Sequence, residues 1–448
     1  MKKSIKIILG ITGLSLLALI VVAAAGMYKF NYLASQPGYD VDGNKIEEAV
    51  SETETEFEAR KIVTTDYREL PEREASAAEV VGGLDAPWAF VWLPSGDVLV
   101  TERFGTLRMI RDGVLLAESV AGVPEVFSAG QGGLLDVTVH PEFDQNRLVY
   151  LSYAHGTNEG NRLRVARAEL RDMKLENLEV IFEVGETKTG SQHFGSRFAW
   201  LPDGTLLFSV GDGGNPPTEY NGELIREQAQ NLSAHLGKII RINDDGTIPN
   251  DNPFVGRPDV NPEIYSFGHR NVQGITYDQS SGRVLASEHG SKGGDELNSI
   301  EPGANYGWPL ATFSTEYDAF STAIAPTETA PEFIDPIAAW TPTVAPSAVV
   351  AYTGERYDAA GDVFMAAMLL RSNTTIAAYA FSPAGSILRL ITDEVGGVTG
   401  QERISLGDVR VRSIGQGPDG YLYALTDTTD RQSRPGMNAG ALVRIESF

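Results

Sequence analysis

The chain has 448 residues, 42% of them hydrophobic, enough for one large domain or two modest ones around a real core. Its 60 acidic and 36 basic side chains leave a formal net charge of −24, which argues against binding nucleic acid or adsorbing to an anionic membrane surface. The chain has no Cys, so disulfides, a thiolate nucleophile and zinc–cysteine sites are excluded.

At the N-terminus, Lys2, Lys3 and Lys6 precede an apolar run from Ile7 to Met27. The run is long enough to cross a bilayer as a helix, and the lysines would stay on the cytoplasmic side. Residues 1–30 are therefore expected to form a transmembrane signal anchor. Ala23-Ala24-Ala25 leaves a cleaved signal peptide as the alternative. Either way the rest of the chain is expected to be periplasmic or otherwise extracytoplasmic, touching the inner membrane only through that helix. Residues 31–78 are polar and acidic, with Glu47-Glu48 and Ser51-Glu-Thr-Glu-Thr-Glu-Phe-Glu58, and read as a flexible spacer.

From residue 79 onward one pattern recurs, a tight turn followed by a short β-branched or alternating run. Its copies are Leu93-Pro-Ser-Gly-Asp-Val-Leu-Val-Thr101, Asn146-Arg-Leu-Val-Tyr-Leu-Ser-Tyr153 and Leu201-Pro-Asp-Gly-Thr-Leu-Leu-Phe-Ser-Val210. Ser281-Gly-Arg-Val-Leu-Ala-Ser287, Gly361-Asp-Val-Phe-Met-Ala-Ala367 and Gly417-Pro-Asp-Gly-Tyr-Leu-Tyr-Ala-Leu425 follow. Six copies with insertions between them predict an all-β, six-bladed propeller over 79–448. A β-sandwich or two β-domains is the competing architecture. The ring is expected to close by pairing Ala78–Val81 with Ala441–Ile445.

Four polar knots stand out. His193, in Ser191-Gln-His-Phe-Gly-Ser-Arg197, precedes a strand, and Asp212 follows the next one in Gly211-Asp-Gly213. Together they are able to form an imidazole–carboxylate pair; separately they are a turn cap and an Asx-turn. Gly268-His-Arg-Asn271 offers Arg270 for a carboxylate and Asn271 as an amide donor, or else is a surface turn. Glu288-His-Gly-Ser-Lys-Gly-Gly-Asp-Glu296 frees backbone carbonyls beside carboxylates, which suits calcium, or is an acidic loop without metal. Arg410 and Arg412 lie at i, i+2, on one side of a strand. They repel each other unless an anion lies between them, or they are edge charges facing water.

With these segments in view, the chain from about Leu84 to its end resembles the soluble aldose sugar dehydrogenases that use pyrroloquinoline quinone (PQQ). The resemblance rests on Leu84-Asp-Ala-Pro-Trp-Ala89, Gly130-Gln-Gly-Gly-Leu-Leu-Asp136, His140-Pro-Glu-Phe143 and His235-Leu-Gly-Lys238. Gly268-His-Arg-Asn271, Gly294-Asp-Glu-Leu-Asn298, Gly303-Ala-Asn-Tyr-Gly-Trp-Pro309 and Pro342-Thr-Val-Ala-Pro-Ser347 continue it in order. It implies a six-bladed propeller with PQQ across one end of the central channel. It implies His193 as catalytic base, supported by Asp212. Gln131, Arg270, Asn271 and His289 would surround cofactor and sugar, Arg410 and Arg412 would bind PQQ carboxylates, and Arg371 would lie near the quinone where the family often has Lys. The carbonyls of Gly290 and Ser291 match ligands of the calcium beside PQQ; relatives often have Pro in place of Ser291. Glu296 and the Tyr306 carbonyl match a second calcium site. Gln192 replaces an acidic residue found in some glucose-oxidising relatives.

The implied reaction is oxidation of an aldose at C1, with electrons passed from PQQ to an external acceptor, in a monomer or homodimer. Two other readings remain at this point. A calcium-dependent propeller lactonase would need carboxylates converging on a metal and no cationic pair. A non-catalytic, membrane-tethered propeller would keep the blades and lose His193 and the arginines.

Overall fold

The six recurrent runs form the strands Val98–Glu102, Leu148–Gly156, Leu206–Val210, Arg283–Glu288, Val363–Ala367 and Leu422–Asp427. Each is the second strand of a four-stranded antiparallel blade, so the chain is an all-β, six-bladed propeller. These assignments come from a computed structural model, which describes residues 63–214, 218–368, 385–393, 396–407, 409–427, 436 and 439–448. A second strand has a neighbouring blade on each face. It must be apolar on both sides, and Leu206–Val210 and Val363–Ala367 are buried at every residue.

The first strands, Pro87–Trp92, Leu134–Val139, Phe198–Trp200, Val272–Asp278, Pro346–Ala351 and Arg410–Gln416, contact one another in cyclic order around the axis. The core lies between blades, as apolar clusters that link blades one to three, three to four, four to five, five to six and six to one. The ring closes as expected. Ser76–Leu84 pairs antiparallel with Gly440–Ser447 and is the outermost strand of blade six, with Leu442 opposite Val81 and Ile445 opposite Ala77.

The expected spacer needs a correction at its C-terminal end. Val63–Thr65 adds a fifth, parallel strand to blade four, against Ala338–Trp340. Glu72–Glu74 does the same for blade five, against Arg403–Ser405. Edge addition uses backbone hydrogen bonds and asks little apolar burial of its side chains, so an acidic composition hides it. Ion pairs of Arg403 with Glu72 and of Arg73 with Glu402, both at 2.9 Å, hold the second of these strands. Tyr67, between the two strands, is buried among Leu285, Trp340 and Val363. The N-terminal apolar run, the spacer as far as residue 62, and Arg371 lie outside the described residues. Among the described residues, no helix is long and apolar enough to cross a membrane.

Candidate active site

Five of the first strands lose register near their start, at Trp88, at Leu135–Asp136, at Gln273, at Ser347 and at Arg412. A bulge re-aims the extra residue, and here Trp88, Leu135, Gln273 and Arg412 line a cavity of about 300 Å³. Below it the buried guanidinium of Arg197, just ahead of the first strand of blade three, ties the blades together. It donates to the carbonyls of Gln273 at 2.9 Å and Ser347 at 2.8 Å, and to Asp136 Oδ1 at 3.2 Å. The carbonyls of Trp88 and Arg412 lie 3.5 Å away. One side chain of blade three thus reaches all five other blades.

His193 and Asp212 meet as the paired reading required. Nδ1 of His193 lies 2.6 Å from Asp212 Oδ1, and both residues are buried. Asp212 Oδ1 also accepts from the Gly214 N–H at 3.2 Å, and Oδ2 accepts from the Trp308 indole at 3.0 Å. Three donors fix the carboxylate, which in turn holds the proton on Nδ1 and leaves Nε2 as the basic nitrogen. Burial, with Arg270 beside it, lowers the His193 pKa against the opposing pull of Asp212, so the ring is neutral at pH 7.

The backbone at His193 is left-handed, with φ of 49°, a costly conformation for a non-glycine residue. Gln131 Oε1 accepts the His193 N–H at 2.8 Å and holds it there. Gly211 has to be glycine, since a Cβ would come within 2.4 Å of the His193 carbonyl oxygen. Gln131 therefore has a second task besides lining the cavity.

The cavity is cationic. Arg103, Arg410 and Arg412 all line it, with Asp427 among them and Arg197 close beneath. Arg410 and Arg412 both point at Met368 Sδ, at 3.1 and 3.3 Å. Arg412 stacks over Trp88 at 4.7 Å and Arg197 over the same ring at 4.1 Å. Burial and the neighbouring guanidiniums press against the charged form of Arg412. Arginine keeps its charge, so the cost appears as repulsion that an anion relieves. Asn271 adds a hydrogen-bond donor. Its Oδ1 accepts from the Gly195 N–H and from Gln273, while Nδ2 is buried with no partner among the described residues. Clustered guanidiniums and an orphaned amide donor around one cavity fit a planar quinone that carries carboxylates.

Arg270 and the 288–296 loop have a different arrangement. Arg270 donates to the carbonyls of His289, at 3.0 Å, and of Gly290, and stacks over Trp308. The Ser291 carbonyl accepts from the Tyr317 hydroxyl. Each carbonyl keeps a second lone pair, but a dication shares Gly290 only if Arg270 turns away. Two carbonyls are a minority of the six to eight oxygens that calcium takes, so bound ligand and water would supply the rest. His289 lines the cavity and bonds the Pro346 carbonyl through Nε2 at 2.6 Å; burial and Arg270 lower its pKa to about 3.

At the expected second metal position, Glu296 is paired across the strands with Glu288. Burial, with Glu288 alongside, raises the Glu296 pKa well above the carboxylate range. Tyr306 uses its backbone N–H on Phe267 and its hydroxyl on Ser299. Among the described residues, no cluster of three or more His, Cys, Asp or Glu is placed to hold a metal.

Sequence reasoning missed Arg103, Trp88, Met368, Asp427 and Arg197. Only the cationic character of Arg103 and Arg197 was visible locally. What they do depends on where blades one, three, five and six converge.

A family model described as glucose/sorbosone dehydrogenase matches residues 84–434. Aldose sugar dehydrogenase YliI of Escherichia coli is 33% identical over 348 residues, covering 77% of this chain and 88% of its own. Protein slr1608 of Synechocystis is 49% identical over 383 residues, covering 84% of this chain and 87% of its own. The PQQ-bound aldose sugar dehydrogenase structure from Streptomyces coelicolor superposes with a TM-score of 0.63 at 27% identity, over 84% of this chain and 100% of that one. The propeller is thus shared with aldose sugar dehydrogenases, and the chain belongs to the glucose/sorbosone dehydrogenase family of oxidoreductases.

Proposed function

We propose that this protein oxidises aldose sugars at C1 to the lactone, using PQQ and calcium, and passes the electrons to an external acceptor outside the cytoplasm. The observation that carries the reading is a buried, oriented His193–Asp212 pair beside a cavity walled by arginines. His193 Nε2 takes the proton of the C1 hydroxyl, and Asp212 stabilises the imidazolium that forms. Arg410, Arg412 and Arg103 would hold the carboxylates of the cofactor, and Asn271 Nδ2 would be available to donate to it. The quinone supplies a two-electron acceptor for the C1 hydride. Calcium, when bound, would be held by the Gly290 and Ser291 carbonyls, for which Arg270, now donating to the Gly290 carbonyl, would have to turn away. Gln192, in the cavity wall, offers an amide to the sugar hydroxyls. The location rests on the basic and apolar N-terminus.

The test uses the full chain with calcium. A PQQ titration should give a stoichiometric absorbance band, and aldoses with a dye acceptor should then be turned over. His193→Ala should keep the band and lose activity by about a hundredfold or more. No turnover in the wild type, or full turnover in H193A, would overturn the proposal.

A further inference from the structure

Lys188 sits behind the His193–Asp212 pair, and no step above uses it. It is 4% exposed. Its Nζ donates to Asn161 Oδ1 at 3.1 Å and to the Gly190 carbonyl at 3.3 Å, both neutral. It also lies 4.0 Å from the centre of the Phe194 ring, next in sequence to His193. Its stem packs against the neighbour of Asp212, where a Cβ on Gly213 would come within 2.9 Å of Lys188 Cδ. The anion that acts on the ammonium is Asp212. A buried cation held by two amide oxygens and an aromatic face is an expensive way to fill space, and Met would fill it at less cost.

We infer that Lys188 is a positioning residue for the proposed base, and that its buried ammonium opposes a positive charge on His193. The inference rests on the reading of His193 as the base. The charged groups acting on His193 are Arg270, Asp212 and Lys188, and His193 in turn acts on His289. Arg270 and Lys188 oppose the imidazolium, and Asp212 favours it. Around Lys188 itself, Asn161, Gly190 and Phe194 contribute neutral groups. Burial lowers the Lys188 pKa to about 7, so its charge is present while His193 titrates at lower pH and fades as the pH rises above 7. An aldose oxidised in slightly acidic surroundings would then still meet a neutral base.

Lys188→Met removes the charge and keeps the length, and Lys188→Arg keeps the charge. In the full chain labelled at histidine rings, the His193 resonances are assigned by their loss in His193→Gln. The His193 midpoint should rise by about 1 pH unit in K188M and stay near wild type in K188R. The acid limb of kcat/KM should move with it. K188M should also be more stable than wild type at pH 6, because the buried amine costs stability below its folded pKa. That difference should narrow as the pH rises towards the ordinary lysine value. An unmoved His193 midpoint in folded K188M, or an equal shift in K188R, overturns the inference. If Lys188→Met fails to fold, Lys188→Gln is read in the same way. A midpoint that moves while turnover survives H193A would overturn His193 as base and leave the coupling standing.

Discussion

Replacing Asp212 with Asn removes one charge and leaves the shape of the site intact. The carboxylate serves three donors, His193 Nδ1 and the Gly214 N–H on Oδ1 and the Trp308 indole on Oδ2. An amide has one oxygen for these two sides. With its oxygen towards His193 and Gly214, the NH2 faces the indole N–H and a hydrogen bond is lost. His193 keeps its tautomer but loses a charge-assisted bond, worth about 1.5–3 kcal/mol, or roughly 10- to 150-fold in rate. With the amide turned over, the NH2 faces Nδ1 and pushes the proton to Nε2, so the base is in the wrong tautomer. Rate losses on the order of 10⁴ accompany that exchange in enzymes that depend on an oriented imidazole. kcat in D212N should therefore fall between about 10- and 10⁴-fold. KM should change little, because Asp212 is not in the cavity wall. Steady-state kinetics of the PQQ-loaded protein with a dye acceptor would measure both. A kcat within threefold of wild type, in a protein that binds PQQ normally, would refute the assignment of the pair.

Arg412→Met should have effects of opposite sign. Relieving the crowded guanidiniums should raise the melting temperature of the ligand-free protein, while quinone affinity should fall at least about tenfold; a lower melting temperature with unchanged affinity would contradict the anion-site reading. Arg197→Met leaves Asp136 buried without its cation and should cost about 3–5 kcal/mol in urea unfolding, with D136N in the same chain recovering part of it. A loss below about 1 kcal/mol would show that the inter-blade bonds of Arg197 contribute little.

The fold was legible because burial on both faces gives a second strand a signature that survives divergence of the blades. The outer additions were not, because Val63–Thr65 and Glu72–Glu74 join through their backbones while their neighbourhood reads as acidic linker. His193 and Asp212 were legible as a possible pair, but only the fold brings a turn and a strand end, 19 residues apart, within 2.6 Å. The side of the strand on which Arg410 and Arg412 lie was expected from simple alternation. The structure reaches the same cavity by another route, a bulge at Arg412 that strict alternation does not contain. Lys188 carries no local pattern, and its surroundings come from an isolated bridge between Asn161 and Lys188.

Arg197 also decides how the site communicates with solvent. Its buried guanidinium donates to the carbonyls of Gln273 and Ser347 from other blades and so occupies space where the first strands meet, beside the cavity. Under the proposed function, sugar and electron acceptor would then share that cavity and take turns there. Initial rates at several fixed acceptor concentrations should accordingly give parallel double-reciprocal lines, the pattern of a reaction in which the first product leaves before the second reactant enters.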